Sequence, residues 1–259
     1  MFKKIALVAA LAATASFATW DKFPVLENHK GQAAVGISDI MQDKMNQLSL
    51  GAKARYTVAP NLELGLEIPF VIFTHWDGED VEDANGLADI PLMVRYQFMP
   101  NVSAFLDISL PTCNEDLCGE DGPVGFHFGA QYSQNFGMVN FGSELGLAIE
   151  TKGDDKTTPP WELNLGVEGD FAINPMLTPY VGLDLAMLLG KYTVDGENMG
   201  DSHTGDLGIG PYLGLGIAFN PMITLDLCAQ FILGKDYLKA TTQSDEMVTA
   251  LGATLFINF

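Results

Sequence analysis

From Val139 to Glu150 the chain changes character at every step. Val139, Phe141, Ser143, Leu145, Leu147 and Ile149 occupy one parity; Asn140, Gly142, Glu144, Gly146, Ala148 and Glu150 occupy the other. Successive side chains of a β-strand point to opposite faces, so a period of two makes one face apolar and the other polar. The pattern returns from Trp161 to Phe171 and from Ile223 to Phe231. Twelve segments carry it: roughly 32–38, 47–58, 62–73, 87–98, 102–111, 123–134, 138–151, 160–173, 177–188, 204–219, 222–233 and 246–259, the first being the weakest. A run of about 12 residues reaches ~40 Å, or ~30 Å of depth when tilted by about 40°. That is the thickness of a bilayer core. Strands of soluble sandwiches average only about 5–6 residues.

Two kinds of connection separate the segments. Short Pro, Asn and Gly punctuation falls at Ala59-Pro60-Asn61, Met99-Pro100-Asn101, Asn135-Phe136-Gly137, Asn174-Pro175-Met176 and Asn220-Pro221-Met222. Tight reversals favour these residue types, and the return of Asn-Pro-Met marks a repeating hairpin unit. Longer polar segments alternate with them, around 39–46, 74–86, 112–122, 152–159, 189–203 and 234–245. An even strand count, short turns at one end and long loops at the other describe a barrel with its apolar face in lipid. Closure also removes every sheet edge, which lipid requires. The fold class read from the sequence is all-β: a twelve-stranded antiparallel transmembrane β-barrel of outer-membrane type, over residues 31–259.

Residues 1–18, MFKKIALVAALAATASFA, stand apart from that pattern. Lys3 and Lys4 precede an apolar run from Ile5 to Ala15, and Ser16-Phe17-Ala18 closes it. This reads as a secretory signal peptide cleaved after Ala18, with residues 19–30 a short periplasmic segment able to fold into the lumen. The expected destination is the outer membrane of a Gram-negative bacterium. A hydrophobic content of 47% argues against disorder, and a net charge of −20 repels nucleic acid. No later apolar run is long enough for a transmembrane helix. Expected partners are outer-membrane lipids and lipopolysaccharide, the barrel assembly machinery and small-molecule solutes, with no nucleic acid, cofactor or metal.

The parity of the strands also says what faces inward. The lumen side collects Glu63, Glu67, Asp89, Asp107, Glu144, Glu150, Glu162, Glu168, Asp170, Asp184 and Asp226, with Lys53, Arg55, Arg95 and His127 on the same face. The three bases lie in the N-terminal third, near Glu63, Glu67, Asp89 and Asp107. Glu144 to Asp226 have no basic partner on their own strands. An acid-lined pore favours cations or neutral solutes over anions. The same groups, interlocked, describe the alternative: a closed structural or adhesive barrel with acidic, cation-binding surface loops.

Enzyme chemistry is not expected. His127 has Gly125 and Gly129 beside it and no serine motif, and the adjacent Asp201-Ser202-His203 cannot build a triad by themselves. Cys113 and Cys118, in CNEDLC, can pair across a small loop in an oxidising space. Zinc would need two more ligands nearby, and none is there. Cys228 reads as a small packing residue. The acidic loops 75–86, 114–122 and 195–203 fail calcium-loop spacing and read as solvated. Trp76, Trp161 and Tyr192 suit an interfacial aromatic belt.

Three stretches carry a family resemblance. LELGLEIPFV (62–71), GLADIPLMVRYQF (86–98) and VSAFLDISLPT (102–112) follow one another as in the outer-membrane β-barrel transporter family associated with the meta-pathway of phenol degradation. There a "LELGV-x-PY" strand precedes "GLGDL-x-L-x-x-KY" and a strand closing in "LPTG". Gly86-Leu87-Ala88-Asp89, Arg95-Tyr96 and Leu110-Pro111-Thr112 match these motifs, while Ala88 and Cys113 replace glycines. The resemblance implies an outer-membrane channel for small hydrophobic or aromatic compounds. The C-terminus adds a second likeness: Leu251, Ala253, Leu255, Ile257 and the terminal Phe259 share one parity. Such a last strand resembles the signal that barrel assembly machinery recognises, with Phe259 at its centre.

Overall fold

A computed structural model describes residues 22–118, 122–153 and 156–259. The leader and its cleavage site lie outside the described residues. Twelve long strands are present: β1 Gly31–Gln42, β2 Met45–Ala59, β3 Leu62–Trp76, β4 Ile90–Met99, β5 Val102–Leu110 and β6 Gly125–Asn135. They continue as β7 Val139–Glu150, β8 Trp161–Phe171, β9 Leu177–Leu189, β10 Leu207–Asn220, β11 Ile223–Ile232 and β12 Val248–Asn258. Each pairs antiparallel with its neighbours in chain order, and β12 pairs with β1 to close a twelve-stranded barrel. At that seam Gly31 and Phe259 exchange backbone hydrogen bonds of 2.8 and 2.9 Å.

The barrel is apolar outside and polar inside. Val35, Leu145, Val181 and Leu213 are all more than half exposed on its outer face, whereas Glu63 and Arg95 inside are 1% and 2% exposed. In water this inversion would be costly; in lipid it places the apolar area where it belongs. Backbone donors and acceptors are meanwhile consumed between strands.

The two Asn-Pro-Met turns share one geometry. The Asn174 side-chain oxygen accepts from the N–H groups of Met176 and Leu177, and that of Asn220 from Met222 and Ile223, at 2.8 and 3.0 Å in both cases. The proline at the next position has no N–H to offer, so the asparagine caps the two that follow.

The first strand is longer than its sequence pattern suggests. It runs to Gln42 and reverses at Asp43-Lys44, where a long polar segment was expected around 39–46. Asp43 takes a left-handed φ of 52°. The alternation was disguised because the inward positions here, Ile40 and Met45, are apolar and buried.

They are buried by a helix. Helix α1, Glu115–Cys118, and helix α2, Lys235–Thr242, both lie among the long loops. Tyr237 and Leu238 of α2 pack with Ile40, Met45, Leu188, Val248 and Ala250, and Trp76 lies against the same cluster. The segment 234–245 is therefore an inward-folded cap at the loop end of the barrel. Trp76 and Tyr192 also depart from the aromatic-belt expectation. Trp76 supports the cap, and the Tyr192 hydroxyl donates to the Ala240 carbonyl at 3.2 Å. Trp161 stays exposed on the outer face.

Candidate functional site

The lumen is built as two walls of different charge. On the first, Lys53 stands opposite Glu67 across β2 and β3, and Glu63 opposite Arg95 across β3 and β4. Arg55 lies 3.5 Å from Glu63, and Arg95 3.8 Å from Asp107. Lys53 places its ammonium 5.3 Å from the centre of the Phe256 ring. Bases and acids here balance one another at close range, as their nearness in sequence suggested.

His127 bridges to the second wall. Its Nδ1 is 3.7 Å from Asp107 and its Nε2 3.8 Å from Glu144, whose other oxygen accepts from Gln131 at 2.7 Å. Beyond it the inward positions of β7 to β10 alternate acid and glycine. Glu144 faces Gly166, which faces Asp184, which faces Gly210; Glu168 faces Gly142 on one side and Gly182 on the other. Glu144, Glu168 and Asp184 each meet a glycine on a facing strand, whereas Asp170 faces Asn140 and Tyr180. Like charges are thereby kept off directly opposed positions, which would be destabilising.

Two tyrosines complete that wall. Tyr180 stands opposite Gly214 and Tyr212 opposite Gly182, so each ring lies over the glycine of the facing strand. Tyr180 donates to Asp226 at 2.8 Å, and Tyr212 donates to Glu168 at 2.6 Å. Lys22 reaches this wall from the N-terminal segment. Its ammonium donates to Asp184 at 2.6 Å and to the Tyr212 hydroxyl at 2.8 Å. The segment is anchored on the opposite side too, where Leu26 donates to Glu63 and accepts from Thr57. Residues 22–30 thus span the lumen between its walls.

Of the remaining candidates, Glu150, Glu162 and Asp89 lie towards the loop end, and Asp170 lies at the short-turn end of β8. Glu162 accepts from Tyr237 of α2 at 2.8 Å, which ties the cap to the wall. Glu150 stands opposite Gly125, and Asp170 opposite Tyr180. Asp89 is placed differently, just before β4. Its carboxylate accepts from the N–H groups of Thr112 and Cys113, both at 3.1 Å, and burial pushes its pKa up. There the resembling Gly-Leu-x-Asp and Leu-Pro-Thr motifs meet: Asp89 holds the end of β5.

Cys113 and Cys118 form a disulfide with Cα atoms 5.9 Å apart. It lies against a small apolar cluster of Val71, Ala84, Ala88 and Leu117. His203 pairs with Asp206 at 2.9 Å, while Ser202 bonds Gly190 and Thr204, so Ser202 and His203 engage different partners. Among the described residues no group of three or more His, Cys, Asp and Glu is placed to hold a metal ion.

Sequence reasoning missed Lys22, Tyr180, Tyr212, Gln230 and Tyr237 as lumen residues. Tyr180 and Tyr212 were findable: they sit on the inward parity of strands that also carry glycines and an acid there, whereas Tyr237 lies on the short helix α2. Lys22 carries no periodic signal at all.

A family model described as "Putative MetA-pathway of phenol degradation" matches residues 16–235. Among solved structures, an outer membrane channel from Pseudomonas putida F1 superposes with a TM-score of 0.70 at 13% identity, covering 92% of this chain and 98% of that one. The NanC porin gives a TM-score of 0.57 at 8% identity, with 86% and 98% covered. The KdgM porin gives 0.50 at 9%, with 85% and 97% covered. At these identities the likeness is one of fold. A comparison with curated proteins gives no match.

Proposed function

The chain belongs to the family of the MetA pathway of phenol degradation, and from that membership and its lumen we propose a passive diffusion channel of the outer membrane. The observation that carries this is the acid–glycine alternation on the inward face of β7 to β10. The room over these glycines is taken by Lys22, Tyr212 and His127, each of which approaches a carboxylate of this wall, and the acids remain in excess over the bases there.

The solutes this wall suits are small cations and neutral molecules, since the acids outnumber nearby bases and repel anions. Hydrophobic or aromatic compounds are the class that the family description adds. The basic wall is internally paired and offers little free charge to an anion.

Planar bilayer recording tests the reading. Folded protein is expected to give discrete current steps with a reversal potential on the cation-selective side under a salt gradient. Folded protein that inserts and stays silent would identify a closed structural barrel instead.

A further inference from the structure

The acidic wall already holds one organic cation, the side chain of Lys22. Its surroundings are more specific than a patch of negative charge. The ammonium donates to Asp184 and to Tyr212, and lies 4.7 Å from the centre of the Tyr212 ring. Tyr212 is oriented for this by donating its own proton to Glu168, which leaves the hydroxyl oxygen free to accept. Glu168 and Glu144 both lie within electrostatic reach of the ammonium.

The floor is shaped for an alkyl chain. A Cβ at Gly166 would fall 2.3 Å from Lys22 Cε, and one at Gly142 would fall 2.6 Å from the Lys22 carbonyl. Any other residue at either position would displace the lysine. Glu168 is 1% exposed: it accepts from Tyr212, and the Asp170 carboxyl lies in contact with it, so the charge of the site is held in a buried pocket.

We propose that Asp184, Tyr212 and Glu168, floored by Gly142 and Gly166, form a recognition site for a primary alkylammonium group. Lys22 is its tethered occupant, and small organic amines compete with it. A primary ammonium offers three N–H donors and a slim methylene, which match the two acceptors and the glycine slot. A quaternary ammonium offers no donor and is too broad. The ring face adds cation–π attraction that a strongly hydrated metal ion uses less well. As the substrate class of the channel, this rests on the functional reading above; as a binding site, it does not.

A tethered lysine competes at an effective concentration on the order of millimolar, so free amines are expected to bind better once it is gone. The test uses full-length Lys22→Gln protein, folded in detergent micelles, with 13Cζ-labelled tyrosine. The Tyr212 signal is assigned by its loss in Tyr212→Phe, and propylammonium is titrated in. A saturable Tyr212 shift is expected in Lys22→Gln, with wild type needing about tenfold more propylammonium. Tetramethylammonium should give no shift, and adding Asp184→Asn should abolish the propylammonium response. No saturable shift in folded Lys22→Gln, or an equal response to tetramethylammonium, overturns the site.

Current recording on the same preparations separates the two readings. Steps without a Tyr212 response remove the ammonium site and leave the channel. A Tyr212 response without steps leaves the site and removes the channel.

Discussion

The pairing of Tyr212 with Gly182 shows how a single small residue sets the lumen. A Cβ at position 182 would lie 2.0 Å from the Tyr212 ring, so Gly182→Ala must tilt the ring away. Such overpacking costs about 1–3 kcal/mol. Urea unfolding from lipid vesicles should show this loss in wild type and little of it in a Tyr212→Ala background, where the clash is gone. An equal loss in both backgrounds would mean that Gly182 matters for its backbone instead. The turn asparagines act on a smaller scale. Asn174→Ala removes two side-chain bonds from an exposed reversal, for about 1 kcal/mol, and Asn220→Ala should match it because the geometry is the same. A difference larger than the measurement error would show that the repeat is one of sequence only.

At the scale of elements, the strands were legible and the caps were not. Period-two alternation fixes a strand wherever lipid demands an apolar face, and every segment but the first is placed by that signal. Strand β1 hid its outer half because Ile40 faces inward beneath α2. Helix α2 spans only Lys235–Thr242, too few residues for a helical period to emerge. Its stability comes from burial: Leu238 is 1% exposed, and Leu238→Ala should cost about 2–5 kcal/mol of local stability. Limited proteolysis should then cut within 234–245 while the barrel strands stay protected; unchanged protection would remove α2 from the role of a packed cap. A second tie is electrostatic. Asp195 accepts from Lys156 and Lys152, joining two loops, and hydrogen bonding to Lys156 first and Lys152 second holds its pKa below the ordinary carboxylate value. A depressed folded pKa gives stability that is present above the unfolded value and lost as pH falls through the folded one. Protection factors of the amides in residues 192–199, taken relative to intrinsic exchange at each pH, should therefore be steady at neutral pH and fall only below the ordinary carboxylate range, and Asp195→Asn should remove that pH step.

At the scale of the whole molecule, the question is how one lumen carries two walls of opposite character. The chain separates them by order: bases appear on β2 and β4, and from β7 onward inward charge is acidic. That separation was visible in the sequence, but its consequence was not, because the N-terminal segment brings Lys22 across to the acidic side. Neutralising the acidic wall should therefore change selectivity more than neutralising the basic one. Arg95 already lies beside Asp107, and Arg55 beside Glu63, so losing either base exposes a paired acid and moves the balance further toward cations. Asp184→Asn with Glu144→Gln removes two negative charges and releases the Lys22 ammonium that Asp184 holds, so the balance moves away from cations. Charges in the lumen act over a screening length of about 10 Å at 0.1 M salt and about 3 Å at 1 M. The double variant should consequently bring the reversal potential toward zero in dilute salt, with a much smaller change in concentrated salt. Arg95→Gln should move it the other way. If the acidic double variant leaves the reversal potential in place at low salt, ions do not pass along β7 to β10, and selectivity must be set at the capped loop end, where Glu162 meets Tyr237.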